Sequence, residues 1–195
     1  MTQNNINTDR ISEQMRKRNQ WVCWTNIEKR GAMVMVPKDP ETMDIANMND
    51  PNAGGSFDDA RTILEEEDLK GLGYVFTENG PFVGVDIDDC RDPETGDIED
   101  WVLDILQTLD GWIEISPSET GVHIIVSGDH PGDKMEQKRG YVNTEDNVEI
   151  YEQNRFFTVT GNLINENGEE LTDEDETPEI EDNQQGLNAL YERLA

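Results

Sequence analysis

Residues 81–90 read PFVGVDIDDC. Apolar residues alternate with small or acidic ones, and Asp86, Asp88 and Asp89 then arrive within four positions. In a strand, residues two apart share a face. Val83, Val85 and Ile87 therefore point one way, and Phe82, Gly84, Asp86 and Asp88 the other. Two carboxylates on one face repel and raise each other's pKa unless a positive charge lies between them. A divalent cation that takes oxygen ligands, such as Mg²⁺ or Mn²⁺, meets that need. A strand running into an Asp-rich turn accounts for the same residues without a metal, because DDCRDPETGD is dense in turn formers. The decision between the two rests on what else shares the face.

Upstream, LGYVFT (72–77) is a strand, and the short loop ENG joins it to the strand at 81–87, so the pair is expected to form a hairpin. WVCWTNIEKRGAMVMVPKDP (21–40) reads as two strands around a Gly-containing turn. ETMDIANMNDPNAGG (41–55) is irregular. Ser56 can cap a helix whose apolar residues are Phe57, Ala60, Ile63 and Leu64. Residues 1–20 are polar and are expected to form a loose arm with a short helix.

Downstream, Ile98, Trp101, Val102, Ile105, Leu106 and Leu109 fall at i, i+3, i+4, i+7, i+8 and i+11, which predicts a helix between Asp97 and Asp110. WIEIS (112–116) is a short strand. SPSETG (116–121) is a polar loop leading into the strand VHIIVSG (122–128). NVEIYEQ and RFFTVTG are expected to form another hairpin. Residues 165–182 read as a solvated acidic loop, and QQGLNALYERLA (184–195) as a closing helix. Strands pairing locally around a few helices make the fold α+β.

The alternation rule applies to the later strands as well. Val122, Ile124 and Val126 share a face, and His123 points to the other. Val148 and Ile150 share a face, with Glu149 and Tyr151 opposite. If the apolar faces pack on the same helices, Asp86, Asp88, His123 and Glu149 lie together on one open face of a sheet. Three carboxylates and an imidazole there suit a metal site with a phosphate-bearing ligand beside it.

The motif order Asp86-Ile-Asp88, Ser118-Glu-Thr-Gly-Val-His123 and Glu149-Ile-Tyr151 resembles the three motifs of the archaeo-eukaryotic primase superfamily, in its primase-polymerase branch of plasmids and viruses. There a strand ends in D-x-D, a second motif has the form S-x-x-G-x-H, and a third is an acidic residue on a strand. The flanks FVGVDIDDCRDPETGD, EISPS, VEIY and RFFTVTGN are similar too. The resemblance runs from about Trp21 to Gly161.

The resemblance implies an RRM-like antiparallel sheet packed on helices, with an additional N-terminal α/β portion. On that pattern residues 1–20 are a polar arm, 21–164 the catalytic domain, 165–182 an acidic loop and 183–195 a terminal helix. It further implies a nucleotidyltransferase, a DNA primase and DNA-directed polymerase acting in replication, with a non-catalytic nucleotide- or partner-binding replication module of the same fold as the alternative. Asp86, Asp88 and Glu149 would hold two Mg²⁺ or Mn²⁺ ions. His123 and Ser118 would meet the phosphates of a nucleoside triphosphate, with the Ser118–Gly121 turn offering backbone N–H groups as an anion nest. Arg155, Lys138 and Arg139 would contact nucleotide or template. Arg155 reads equally as half of a surface ion pair. The implied partners are single-stranded DNA, nucleoside triphosphates and a replicative helicase supplied in trans, since the sequence has no G-x-x-x-x-G-K-[ST] motif. Three positions depart from the family pattern: Met35 where relatives carry lysine, Gly54 where they tend to carry tryptophan, and Glu119 where glycine is usual.

Composition bounds the rest. Forty-four acidic residues face fifteen basic ones, a formal net charge of −29. Disorder, mimicry of DNA phosphates and adaptation to a salt-rich cytoplasm would each produce such a chain. The strong strand patterns argue against disorder. At molar salt the Debye length shrinks to about 3 Å, so dense surface charge costs little, and the salt reading is preferred. Two distant cysteines, Cys23 and Cys90, with no C-x-x-C pattern argue against a disulfide framework and a structural zinc site, and suit a reducing cytoplasm. No apolar run reaches membrane-spanning length.

Overall fold

The computed structural model of the chain describes residues 6–133, 141–143 and 147–195. A 3₁₀ turn (Thr8–Arg10) and α1 (Glu13–Arg16) precede the hairpin of β1 (Trp21–Lys29) and β2 (Ala32–Lys38). Then follow α2 (Phe57–Glu66), β3 (Gly71–Phe76), β4 (Phe82–Ile87), α3 (Asp100–Leu109), β5 (Trp112–Ile115) and β6 (Val122–Ser127). The chain continues through β7 (Tyr141–Asn143), β8 (Val148–Tyr151), β9 (Arg155–Val159) and α4 (Gln184–Leu194).

The strands form two antiparallel sheets, ordered β2-β1-β3-β9 and β5-β6-β4-β8-β7. The α+β class holds, but two expected hairpins do not form. β3 and β4 are consecutive yet belong to different sheets, and so are β8 and β9. β3 pairs with β1 and β9, while β4 sits between β6 and β8. Because β9 returns to β3, the first sheet is not built from the N-terminal segment alone.

The helices follow their local signals. The Ser56 hydroxyl accepts from Asp59 N at 3.1 Å and caps α2, which buries Phe57, Ala60 and Leu64. In α3 the residues Val102, Ile105, Leu106 and Leu109 are buried, and they pack on Val83, Val85, Ile87, Ile124 and Ile150 of the second sheet. Leu187 and Leu190 of α4 join the same cluster. A second core lies on the other face of that sheet. Phe82, Trp112 and Tyr151 meet Tyr74, Phe76 and Phe157 of the first sheet. Gly84 is the closest approach: a Cβ there would stand 2.5 Å from Phe157 and 2.6 Å from Phe76. The face carrying the acidic residues is therefore partly roofed by the first sheet, not open along its length.

Residues 6–20 are packed as well, which corrects the expected loose arm. Ile11 and Met15 are fully buried. Asn7 N donates to Thr160 O at 2.7 Å, and the Gln14 side chain exchanges two hydrogen bonds with the Ile180 backbone. The acidic loop is irregular, but it is pinned by buried Ile180 and by the Arg10 guanidinium, which donates to Thr172 O and Asp175 O.

Candidate active site

Register brings the motif residues side by side. Asp86 on β4 lies directly opposite His123 of β6 and Glu149 of β8. In antiparallel pairs such residues project to the same face with their Cβ atoms about 5 Å apart. Asp86 is three-quarters buried, its side chain 22% exposed, while Asp88 stands exposed just beyond the strand end. Glu149 is partly buried. Asp86, Asp88 and Glu149 are thus at least partly accessible beyond the roof of Phe76 and Phe157, while His123 lies beneath it.

His123 is buried and held from two sides. Its Nε2 lies 3.5 Å from Asp86 Oδ1, and its Nδ1 lies 3.0 Å from Glu114 Oε1. The ring also packs against Phe157, with centroids 5.0 Å apart. Glu114 is a fully buried carboxyl on β5, opposite His123 in register. Its other oxygen accepts from the backbone N–H groups of Thr160 and Gly161, both at 2.8 Å. A carboxylate only accepts, so the proton on Nδ1 faces Glu114 and Nε2 is left for the acidic face.

Electrostatics show a site poor in positive charge. Burial pushes the Asp86 carboxyl above its usual range, with the neighbouring Asp88 and Glu149 adding to the rise against the opposing pull of His123 and Arg155. Asp88 is raised too, first by burial and then by Glu149 and Asp89. Burial alone would lower His123, but its hydrogen bond to Glu114 and the negative charge of Asp86 outweigh this and raise it. Asp86 Oδ1 is a buried oxygen that receives no hydrogen bond. Among the described residues, no group of three or more His, Cys, Asp or Glu closes into a ready-made metal cage.

Arg155 sits beside Glu149. Its Nη2 is 3.6 Å from Glu149 Oε2 and donates to the Tyr151 hydroxyl at 2.6 Å, while the guanidinium lies 4.5 Å from the Tyr151 ring centroid. The Tyr151 hydroxyl donates in turn to Glu149 Oε2 at 2.7 Å. Burial and that hydrogen bond push the Tyr151 hydroxyl up to about 12.

The Ser118 loop closes the site from the β5–β6 side. Thr120 O accepts from Cys90 N and Arg91 N at 2.8 and 2.9 Å, tying the loop to the chain that leaves β4. A Cβ on Gly121 would stand 2.7 Å from Ile87 O, so the close approach requires glycine. Ser118 is exposed, and its Oγ lies 2.9 Å from Ser116 Oγ and 3.0 Å from Thr120 Oγ1. The expected anion nest is partly spent. Glu119 N already donates to Ser116 O, and Thr120 N to Ser118 Oγ. Glu119 is exposed with φ of 65°. Lys138 and Arg139 lie outside the described residues.

The structure thus brings Asp86, Asp88, His123, Glu149 and Arg155 together and sets Ser118 and Gly121 at their edge. Sequence reasoning missed Glu114 and the bridging role of Tyr151. The alternation of WIEIS does place Glu114 with Trp112, opposite Ile113 and Ile115, and pairing the hairpin would have set it against His123. Both cysteines are free and buried, with thiols pushed up to about 12 by burial, so neither is poised as a nucleophile.

The fold and site together define an α+β protein with an acidic face and a buried, carboxylate-held histidine beneath it. Comparison with known proteins narrows this. The chain is 33% identical over 145 residues, 74% of its length, to the DNA primase-polymerase of Nitratiruptor phage NrS-1. It is a relative of the viral primase-polymerases. The matched region spans about a fifth (19%) of that phage protein. No family model matches the chain.

Proposed function

We propose that the chain carries the nucleotidyl-transfer site of a template-dependent DNA primase-polymerase, acting in plasmid or virus replication. The second sheet, packed on α3 and α4, would be the RRM-like catalytic sheet, and the first sheet the additional portion. The observation that carries the reading is Asp86. Its buried Oδ1 lacks a donor, Glu149 lies opposite it in register, and Asp88 and Glu149 both add negative charge beside it. A cation is what such a face is short of. The lack of a closed cage fits Mg²⁺ or Mn²⁺, which are commonly held by one or two carboxylates plus substrate phosphates and water.

Asp86, Asp88 and Glu149 would hold two such ions, whose chemistry is to activate the attacking 3′-hydroxyl and neutralise the triphosphate. The protein's own groups orient the reactants. Glu114 holds His123 so that Nε2 faces the phosphates. Arg155, anchored on Tyr151, supplies a planar cation at the rim that suits phosphate oxygens. Ser118 offers a hydroxyl from the loop edge. Glu119 has an exposed side chain, so it adds charge to the surface and not to the phosphate position. The substrates would be nucleoside triphosphates and single-stranded DNA, in a salt-rich cytoplasm. Among the described residues no helix is long and apolar enough to cross a membrane.

The test is primer synthesis and extension on single-stranded DNA with Mn²⁺ or Mg²⁺ in molar KCl. Wild type should extend, and the Asp86→Asn/Asp88→Asn double variant should not. Extension by the double variant would end the assignment.

A further inference from the structure

We propose that a basic hollow beside α1 is a second nucleic-acid contact, one that grips the phosphodiester backbone of a single strand apart from the carboxylate site. It rests on the primase-polymerase reading, in which that strand is the template.

The chain has fifteen basic residues among 195, and Arg16-Lys17-Arg18 is its only run of three. The packed arm holds this run in place. Met15 is fully buried, its carbonyl accepts from Trp21 Nε1 at 3.1 Å, and Arg18 N donates to the same oxygen at 3.0 Å. Arg16 is engaged elsewhere, donating to Ile11 O and Asp9 O and lying over Phe57. Lys17 pairs with Glu13 at 3.1 Å on the exposed surface, a contact too solvated to hold it strongly. Arg18 forms no ion pair among the described residues. Its guanidinium lies 5.6 Å from the Phe82 ring centroid.

Lys17 and Arg18 line a hollow of about 730 Å³ with Asn19, Gln20, Thr77 and Phe82. No aspartate or glutamate lines it. That is notable in a chain where 44 of 195 residues are acidic. The other described hollows each carry at least two carboxylates. The lining of the hollow is thus free of carboxylates where the run of three cations begins to turn toward β1.

Position links the hollow to the reaction. Phe82 and Asp86 share a face of β4 and lie four residues, about 13 Å, apart. Ser127, opposite Phe82, lines the hollow just as His123, opposite Asp86, lines the carboxylate site. Phe76 and Phe157 close over Gly84 between them, so the two are separate sites on one side of the sheet. A triphosphate needs divalent cations, and the hollow has no carboxylates to hold them. A guanidinium on an aromatic ring, with an exposed asparagine beside it, suits singly charged phosphodiester oxygens.

The experiment measures binding of a fluorescent oligothymidylate to the full chain at several KCl concentrations. Variants are Lys17→Ala/Arg18→Ala, and Asn19→Asp, which changes an exposed side chain and leaves the Phe82 packing intact. Both should bind more weakly. The double variant should also lose about 0.7 from the salt slope for each phosphate contact removed. Mn²⁺-nucleotide binding should be unchanged in both. Asp86→Asn should bind the oligonucleotide as wild type does and fail to extend it. Unchanged affinity and slope in both folded variants would overturn the site. Equal displacement by polyglutamate would overturn it in favour of an acidic protein partner. If oligonucleotide binding depends on Arg18 but wild type never extends a primer, the hollow stands and the primase-polymerase reading falls.

Discussion

At the scale of single residues, the site concentrates negative charge that the fold does not neutralise. The raised Asp86 carboxyl has a signed consequence. A carboxyl whose folded pKa exceeds its unfolded value stabilises the protein only below the unfolded pKa, and that contribution is lost as pH rises through the folded one. At neutral pH the ionised Asp86 therefore costs stability. Metal-free Asp86→Asn should melt above wild type at pH 7, with the gap closing as pH falls into the carboxylate range. A lower melting temperature for the variant at pH 7 contradicts this. Added Mn²⁺ should raise the melting point of wild type and leave Asp86→Asn/Asp88→Asn little changed. Glu114 is held by hydrogen bonds on both oxygens. Glu114→Ala strands the Thr160 and Gly161 N–H groups and the His123 ring proton, and should cost about 3–5 kcal/mol in chemical denaturation. Glu114→Gln keeps an acceptor for the backbone and should cost clearly less. Glu119 occupies left-handed backbone, which costs a non-glycine residue about 1–2 kcal/mol. Glu119→Gly should leave nucleotide affinity unchanged at two salt concentrations, because the side chain is exposed to solvent, where its charge is screened. A large gain in affinity would show that it reaches the phosphate position.

At the scale of elements, the N-terminal arm is the informative case. Its polar composition suggests a solvated tail, yet Ile11 and Met15 seat it in the aromatic core beneath α2. Met15→Ala should cost about 2–5 kcal/mol, as for other fully buried large-to-small changes. A loose arm predicts no change, so urea unfolding of this variant discriminates directly. The same variant should weaken oligonucleotide binding, because the buried Met15 side chain anchors the segment that carries Arg18. β5 and β6 make the complementary point. They form a true hairpin, and their register alone sets Glu114 against His123.

At the scale of the whole molecule, net charge dominates. With a formal charge of −29 and only a handful of described ion pairs, most of them partly exposed, repulsion over the surface is balanced mainly by screening. Lowering KCl from 1 M to 0.1 M lengthens the Debye length from about 3 to about 10 Å. The melting temperature should therefore fall as KCl is diluted. A melting temperature independent of salt, or higher in dilute KCl, contradicts the salt-adapted reading and favours a phosphate mimic. The same screening explains why a clear, acid-free hollow matters. At molar salt, long-range steering is lost, and only contacts made at close range distinguish a nucleic acid from solvent.

The sequence by itself determined which residues face which way. Strict alternation in β4, β6 and β8 separated Val83, Val85, Ile124 and Ile150 from Asp86, His123 and Glu149, because the pleat imposes a period of two whatever the partner strand. The spacing of α3 and the Ser56 cap were legible for the same reason, being local. Which strands pair was not local. Short connections after β3 and β8 favour hairpins, but both strands hand the chain from one sheet to the other, since burying two aromatic faces against each other outweighs local pairing. Only the tertiary structure therefore decided that Phe76 and Phe157 roof half of the acidic face. Only it placed the Glu114 carboxylate in the core behind His123. A residue's face is written in its neighbours, whereas what covers that face depends on segments far away in the chain.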